Sequence, residues 1–426
     1  MKQKILLLSV LLTIVPLSTY AGTTSNGPTF AGVPYEFILF GLTLLGIALF
    51  HKYTLKIALS GLAAVLVYKI FVLNFHVIEH LGHEWEIMLN LLGLLLGFAI
   101  LAKLFEDSHI PKRIPKFLPH DWRGPFILLC FVFVLSSFLD NIAAALIGGS
   151  IAHVVFRGKV HIGYLAAIVA ASNGGGSGSV LGDTTTTMMW IDGVEPRNVI
   201  HAYMAAIPAF LFFGVFGALL QDKYHPMLKG SYDPPKIDLK KLFVCICILG
   251  GAIAANFILD FPAAGVWIAI ILGALITKID WNELQKAIPG SIFLLSLVLI
   301  ASMMPVDALP DATWQTTMVL GFVSSVFDNI PLTKLALDQG GYDWGFLAYA
   351  VGFGGSMVWF GSSAGVAISN MYPEARSVGS WVKNGWYVIV GYVIGYFILL
   401  LTLGWNPHPP HKPPVNSTTT SSSQID

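Results

Sequence analysis

Three acids, Asp140, Asp183 and Asp328, lie inside stretches that are otherwise apolar. A carboxylate held away from water is costly, and acids in such places mark ion or proton pathways. The structural alternative is a buried acid paired with a base. Only Lys69 and Lys334 fall within the apolar segments, and Lys334 stands four residues before Asp338, the spacing that pairs two side chains on one helix face. The neighbours of the three acids are rich in neutral oxygen: Asn141, Asn173, Thr184, Thr185, Thr186, Thr187, Ser324, Ser325, Asn329, Ser356, Ser362 and Ser363. Hard cations are bound by carboxylate, hydroxyl and carbonyl oxygens. An anion site would favour arginine, amides and helix N-termini. The constellation therefore reads as a cation site.

Burial favours the protonated form of a carboxylic acid, and a bound cation favours the ionised form. A proton and Na⁺ then compete for one acid. If that acid faces only one side of a barrier at a time, the competition becomes exchange. On this reading Asp140 and Asp183 carry the exchangeable charge. Asn141, Asn173, Thr185 and Thr186 complete the Na⁺ coordination, and Asp328 with Asn329 mirrors the arrangement from the other side. No cofactor and no resident metal are expected, only transported Na⁺ and H⁺. His76, Glu79, His80 and His83 share one helical face, a spacing open to a metal, to pH sensing or, as the more common case, to a polar interfacial surface. Glu84 and Glu86 are candidates for admitting protons. The glycine run from Gly174 to Gly178 lacks the Gly-Lys-Ser/Thr ending of a phosphate-binding loop.

The elements that must hold these residues are broken ones. Ser136-Ser137-Phe138-Leu139-Asp140-Asn141-Ile142 corresponds to Ser324-Ser325-Val326-Phe327-Asp328-Asn329-Ile330. Gly175-Gly176-Ser177 precedes Gly182 as Gly354-Gly355-Ser356 precedes Gly361. Glycines inside a helix cost about 1 kcal/mol each. Backbone freed from helices at membrane depth is tolerated only around a protein-lined cavity. Two such elements repeated in the same order predict an inverted-topology repeat with its site at the midplane. The copies differ in charge, since Asp183-Thr184 corresponds to Ser362-Ser363. Close packing through small residues is the plainer explanation for the glycines, but packing has no need of an aspartate and four consecutive threonines.

The whole chain has the composition of a membrane protein. It is 55% hydrophobic and 11% charged, against roughly 25% charged in soluble domains. The formal net charge is zero, which gives no case for nucleic-acid binding. Cys130, Cys245 and Cys247 all lie in apolar runs and read as core residues. Apolar segments are expected at 35–51, 55–73, 87–104, 124–156, 161–190, 199–220, 242–260, 262–278, 289–305, 312–338, 345–369 and 385–404. Segments 124–156 and 312–338 are long and interrupted. If each is a re-entrant hairpin, one from either face, and residue 22 is outside, all basic residues but Lys69, Arg197, Lys334 and Lys412 fall on the cytoplasmic side. Read as single spans, these segments invert the later loops and the bias is lost. The fold class is thus an all-α polytopic membrane protein of two inverted repeats, each with a re-entrant hairpin and a broken transmembrane helix. Its expected parts are a signal peptide at 1–21, a first half at 22–220, a cytoplasmic linker at 221–241, a second half at 242–405 and a disordered tail at 406–426.

These residues resemble the NhaD-type Na⁺/H⁺ antiporters of the ion transporter superfamily. The resemblance covers most of the chain after about residue 75. It is most specific in Asn173–Gly176 with Gly182–Trp190, and in Ser324, Asp328–Leu332, Trp344, Gly354–Ser356 and Gly361–Val366. A later stretch, from Trp381-Val382-Lys383 to Gly391-Tyr392, is similar too. Arsenite and anion permeases of the superfamily look alike at Ser137–Asn141 but carry a Gly-Asn-Pro-Pro-like element in place of Gly182-Asp183-Thr184-Thr185. The resemblance implies exchange of Na⁺, with Li⁺ as a second substrate, for H⁺ in a bacterial inner membrane, and a homodimer. Lys334 departs from the family pattern and puts a positive charge near the second hairpin. The nearest rival is an arsenite exporter, an anion permease or a Na⁺-coupled carboxylate importer of the same superfamily. An intramembrane aspartyl protease is a more distant one: Val180-Leu181-Gly182-Asp183 lacks the first glycine of its Gly-x-Gly-Asp sequence.

Overall fold

The computed structural model describes residues 27–50, 53–227 and 235–408. The expected signal peptide, the middle of the expected linker and residues 409–426 lie outside the described residues. A two-residue β-pair, Thr29–Phe30 with Val33–Pro34, precedes the helices. Helices α1 (Tyr35–Leu49), α2 (Thr54–Leu73) and α3 (Val77–Asp107) follow, then the short basic helix α4 (Ile110–Phe117). The first interrupted segment is α5 (Arg123–Ser136) and α6 (Asn141–Val155), and the next is α7 (Ile162–Ser177) and α8 (Thr184–Ile191). After α9 (Pro196–Ile200) and α10 (Tyr203–Tyr224) come α11 (Leu239–Leu259), α12 (Pro262–Gly273) and α13 (Asn282–Ser302). Two further interrupted segments follow, α14 (Trp314–Ser324) with α15 (Asn329–Gln339) and α16 (Trp344–Gly354) with α17 (Ser363–Met371), and then α18 (Val378–Asn384) and α19 (Trp386–Leu403).

The protein is an all-α polytopic membrane protein. Six helical segments among the described residues are long and apolar enough to cross a membrane, and five further apolar helices are shorter. Bulky apolar side chains such as Phe71, Ile78, Phe257, Ile258, Leu275 and Leu401 stand on the outside, where hydrocarbon rather than water is their natural solvent. The expected segment 87–104 is longer than its apolar run. Helix α3 begins at Val77, so Glu79, His80 and His83 are helical as their spacing suggested and continue into the expected span, with His76 at the N-cap.

Two apolar clusters hold the bundle together. A small one joins α1, α2 and α13 through Phe40, Leu44, Ala58, Val65, Leu297 and Ile300. The larger one surrounds α7 and α16, in which every residue from Gly163 to Ser177 and from Trp344 to Gly354 is buried. A helix apolar on all sides belongs at the centre of a bundle. The Phe353 ring of α16 lies against Gly174 of α7, where a Cβ would meet it at 3.3 Å. Each central helix ends in its glycine run, and the chain then crosses a short loop to α8 or α17.

The linker and tail are anchored where they are described. Asp238 donates its amide to the Ser108 carbonyl, and Arg113 Nε donates to the Pro235 carbonyl at 3.1 Å. Asn406 N–H donates to Asp343 at 3.1 Å, and His408 N–H to the Tyr342 carbonyl at 2.9 Å.

Candidate cation site

Each acid singled out in the sequence starts a helix. Asp140 caps α6 and accepts from Ile142 N–H at 3.1 Å. Asp328 caps α15 and accepts from Ile330 N–H at the same distance. Asp183 caps α8 and accepts from Thr185 N–H at 3.3 Å; its counterpart Ser362 caps α17 through Gly365 N–H at 3.2 Å. Helix N-termini carry unpaired amides and the positive end of the helix dipole. A carboxylate in that position is stabilised without a basic partner, so a net negative site is possible in an apolar surround.

The three carboxylates are close enough to influence one another electrostatically, with Asp183 within reach of both Asp140 and Asp328. Asp183 is 2% exposed. One of its oxygens serves the cap; the other, Oδ2, is buried and has no hydrogen-bond partner. The Thr185 hydroxyl beside it, buried as well, forms no well-aligned hydrogen bond, and neither does the Ser136 hydroxyl. Buried polar atoms are nearly always paired. A carboxylate oxygen and two hydroxyls without well-aligned partners form a cluster that a cation would satisfy.

The neighbouring residues link the two halves. Asn141 Nδ2 donates to Asn173 Oδ1 at 3.1 Å, and Asn173 Nδ2 donates to Ser356 Oγ at 3.0 Å. Thr184 reaches Asp140 at 3.5 Å, and the Ser363 hydroxyl faces Asp328. Asn329 is buried at the start of α15. Other candidates are engaged elsewhere. Thr186 donates to the Ser179 carbonyl at 2.6 Å, Thr187 to the Val180 carbonyl at 2.8 Å and Ser324 to the Val351 carbonyl at 2.7 Å. These hydroxyls shape the loop and the helix crossings rather than present themselves to an ion. The corresponding serine of the first half, Ser136, has the free hydroxyl instead. Nothing in the local sequence marks it as a ligand, nor Ser177 and Gly352, which flank the Asp183 carboxylate. Gly352 leaves room there: a Cβ on it would lie 3.2 Å from Asp183 Oδ2 and 3.3 Å from Ser177 Cβ.

The glycines let the breaks pass one another. A Cβ on Gly175 would strike the Phe133 carbonyl, and one on Gly354 would strike that of Gly321. Phe133 and Gly321 stand at the same offset before Asp140 and Asp328, so both halves use one crossing.

A cavity of about 870 Å³ leads to this site from one face. Asp140, Asp183, Thr184 and Thr187 lie at its inner end, and Lys103, Glu106, Lys112, Glu283 and Lys286 line the mouth. Lys103 pairs with Asp107 at 3.0 Å and with Glu106 at 3.2 Å, and Lys286 with Glu283 at 2.6 Å. Asp328 does not line the cavity.

Lys334, the positive charge near the second hairpin, is buried. It pairs with Asp338 at 2.7 Å, as its spacing suggested, and also with Glu84 of α3 at 3.0 Å. His80, one turn before Glu84, bonds to Ser302 at 2.9 Å.

Comparison with known proteins places this architecture. Sodium/proton antiporter 1 of Arabidopsis thaliana is 26% identical over 332 residues, covering 63% of this chain and 53% of that protein. Sodium/proton antiporter 2 of the same plant is 25% identical over 302 residues, covering 58% and 70%. The Na(+)/H(+) antiporter NhaD of Halomonas elongata is 32% identical over 95 residues, 21% of this chain and 19% of that one. The chain thus spans about half the length of the first of these relatives. The profile of the family described as Citrate transporter (CitMHS) matches residues 37–354, from α1 to the end of α16. With a match over most of its length, the chain belongs to the citrate transporter family of the ion transporter superfamily.

Proposed function

We propose that this transporter exchanges Na⁺, and Li⁺ as a second substrate, for H⁺ across a bacterial inner membrane. The observation that carries this reading is the unpaired, buried Oδ2 of Asp183 at the inner end of a cavity open to one face. The arrangement has oxygen donors and no base. Asp183 holds either a proton or the cation, and Asp140, within electrostatic reach, shares that role. Thr185, Ser136 and the loop carbonyls supply neutral oxygens. Asn141, Asn173 and Ser356 hold the two halves in register around them, with Asp328, Asn329, Ser362 and Ser363 supplying the second half's contribution. The relatives named as sodium/proton antiporters support the same reading. The corresponding local geometry of the two halves supports an inverted repeat. The charged mouth, with Lys103, Lys112 and Lys286, fits the cytoplasmic face. The homodimer implied by the family resemblance belongs to the same reading.

The family's description favours a second reading, uptake of a citrate-like anion. Such a ligand needs cationic or amide contacts. Three acids face the site, and two of the lysines at the cavity mouth are already paired with acids. A carboxylate substrate would meet repulsion at the inner end.

The deciding assay uses purified protein in liposomes with an acidic interior and a fluorescent pH dye. Na⁺ should dissipate the gradient and choline should not, and the Asp183→Asn protein should be silent. No dissipation by Na⁺, Li⁺ or K⁺ with folded, inserted protein overturns the exchange reading, and citrate and arsenite flux are then the next measurements.

A further inference from the structure

A buried cluster of charges lies away from the cavity, where Lys334 meets Glu84 and Asp338. Helix α3 carries both ends of the relationship. Lys103 and Glu106 line the cavity mouth near its C-terminus, and Glu84 stands nineteen residues before Lys103, about 28 Å away along a straight helix. That separation is close to the thickness of a hydrocarbon core. Glu84 therefore sits at the other face. Helix α13 agrees, since its Glu283 and Lys286 line the mouth while its Ser302, near the opposite end, bonds to His80.

Lys334 is 1% exposed and is held by Glu84 from α3 and by Asp338 from its own helix. A third acid, Asp192, acts on it electrostatically. Asp192 ends α8, the helix that Asp183 starts. Lys334 lies in α15, the helix that Asp328 starts. The distance from Asp183 to Asp192 is on the order of 13 Å and from Asp328 to Lys334 on the order of 9 Å along the helix axes. The cluster thus ties α15, which Asp328 starts, to α3, with the end of α8 within electrostatic reach.

We infer that Glu84 and Lys334 form a latch that closes the site on the face opposite the cavity and must part when that face opens. The arrangement suits parting. A buried ion pair that loses one partner leaves an uncompensated charge, which is what makes breaking it costly. Lys334 escapes that penalty because Asp338, four residues on, moves with it as a rigid part of α15. Glu84, 12% exposed against 1% for Lys334, lies nearer to water and is solvated on release. A lysine with two acids on one helix would be a static pair. One acid on its own helix and one on α3 make a contact that can be exchanged.

This inference rests on the reading that the site faces the two sides in turn, but its test needs no transported ion. Ser150 is exposed and lines the cavity. With the three native cysteines replaced by alanine, Ser150→Cys is labelled by a membrane-impermeant maleimide added from the cavity face, with Glu84 intact or changed to Gln. Glu84→Gln keeps the size of the side chain and leaves Lys334 its bond to Asp338, so the fold is retained. Labelling of Cys at 150 should slow severalfold as the population shifts toward the other orientation. An unchanged rate in folded protein overturns the latch. A second arm stands independently of that variant's folding. In the cysteine-free protein with Ser150 left native, Glu84→Cys with Lys334→Cys, joined by a short bifunctional methanethiosulfonate, should stop exchange until the bridge is reduced. Undiminished exchange in the bridged protein overturns the proposal. If the reduced form exchanges no cation at all while labelling responds to Glu84→Gln, the latch stands and the assignment of the transported ion fails.

Discussion

The Asn173 side chain donates to Ser356 Oγ at 3.0 Å across 183 residues of sequence, and accepts from Asn141 at 3.1 Å on its other end. One buried amide thus ties the tip of the first hairpin, the broken helix of the first half and the break of the second. A primary amide is suited to this, because it donates and accepts at once. Trp381 closes the same corner by donating Nε1–H to the Ser356 carbonyl at 3.2 Å.

Asn173→Ala is expected to strand Asn141 Nδ2 and leave the Ser356 hydroxyl unpaired. Stranding a buried donor costs about 1–3 kcal/mol. Thermal unfolding in detergent should show a loss of that size, and exchange should fall with it. Ser356→Ala removes only one of the two bonds and should cost less. Equal effects of the two substitutions would mean that Asn141 does not depend on Asn173.

Asp183→Asn tests the charge apart from the fold. Asparagine caps a helix as well as aspartate does, so Thr185 N–H keeps an acceptor and unfolding should be unaltered. Hydrogen bonds or contacts to a charged group contribute about 1.5–3 kcal/mol, so apparent Na⁺ affinity should fall roughly tenfold to a hundredfold, with no measurable exchange at low millimolar Na⁺. Full activity would remove Asp183 from the mechanism.

How far the site could be read in advance depended on what kind of information each residue carries. The breaks at Asp140 and Asp328 are marked by adjacent serines and a following Asn-Ile, and helices do stop and restart there. Asp183 is marked by the glycines before it and the threonines after it. Hydroxyl direction left no such mark. Thr186 and Ser324 read as ligands by composition, yet each turns to a backbone carbonyl, because a threonine or serine near a helix break has an unpaired carbonyl within reach. Ser136 looked no different from Ser324. The Glu84–Lys334 pair was hidden for another reason. The polar turns of α3 before its apolar run read as one helical face, but nothing in them marks Lys334 of α15 as the partner of Glu84. Long-range pairs leave no local pattern, and the Asn173–Ser356 bond was invisible on the same ground.

Gly352→Ala separates space from charge. Alanine raises helix propensity by about 1 kcal/mol over glycine, and the new methyl at 3.2 Å from Asp183 Oδ2 and 3.3 Å from Ser177 Cβ is tight enough to make the carboxylate give way slightly. Stability should hold or rise while apparent Na⁺ affinity falls, since a methyl group occupies space beside the only unpaired oxygen of the carboxylate. Gly250→Ala is the control, because nothing lies within 4 Å of its Cβ position. If both variants exchange normally, the cation does not approach Asp183 from the Gly352 side.

A pH effect on stability is expected at His161, in the loop between α6 and α7 and away from the cation site. Its Nδ1 accepts from Gly163 N–H at 3.1 Å and so caps the buried helix α7. Burial holds the imidazole below its ordinary pKa of 6.5. The unfolded chain therefore takes up a proton before the folded one does. The neutral ring's contribution is complete above about pH 6.5 and is lost as the pH falls below that, first by this difference in proton uptake and then by protonation of the capping nitrogen itself. A protonated ring has no acceptor for Gly163 and meets the positive end of the helix dipole. Loss of an N-cap costs about 1 kcal/mol. His161→Asn keeps a capping acceptor that does not titrate. Thermal unfolding at pH 8 should therefore be similar for the two proteins. At pH 5 the Asn variant should be the more stable by about that amount. An equal loss in both proteins on acidification would place the titrating group elsewhere.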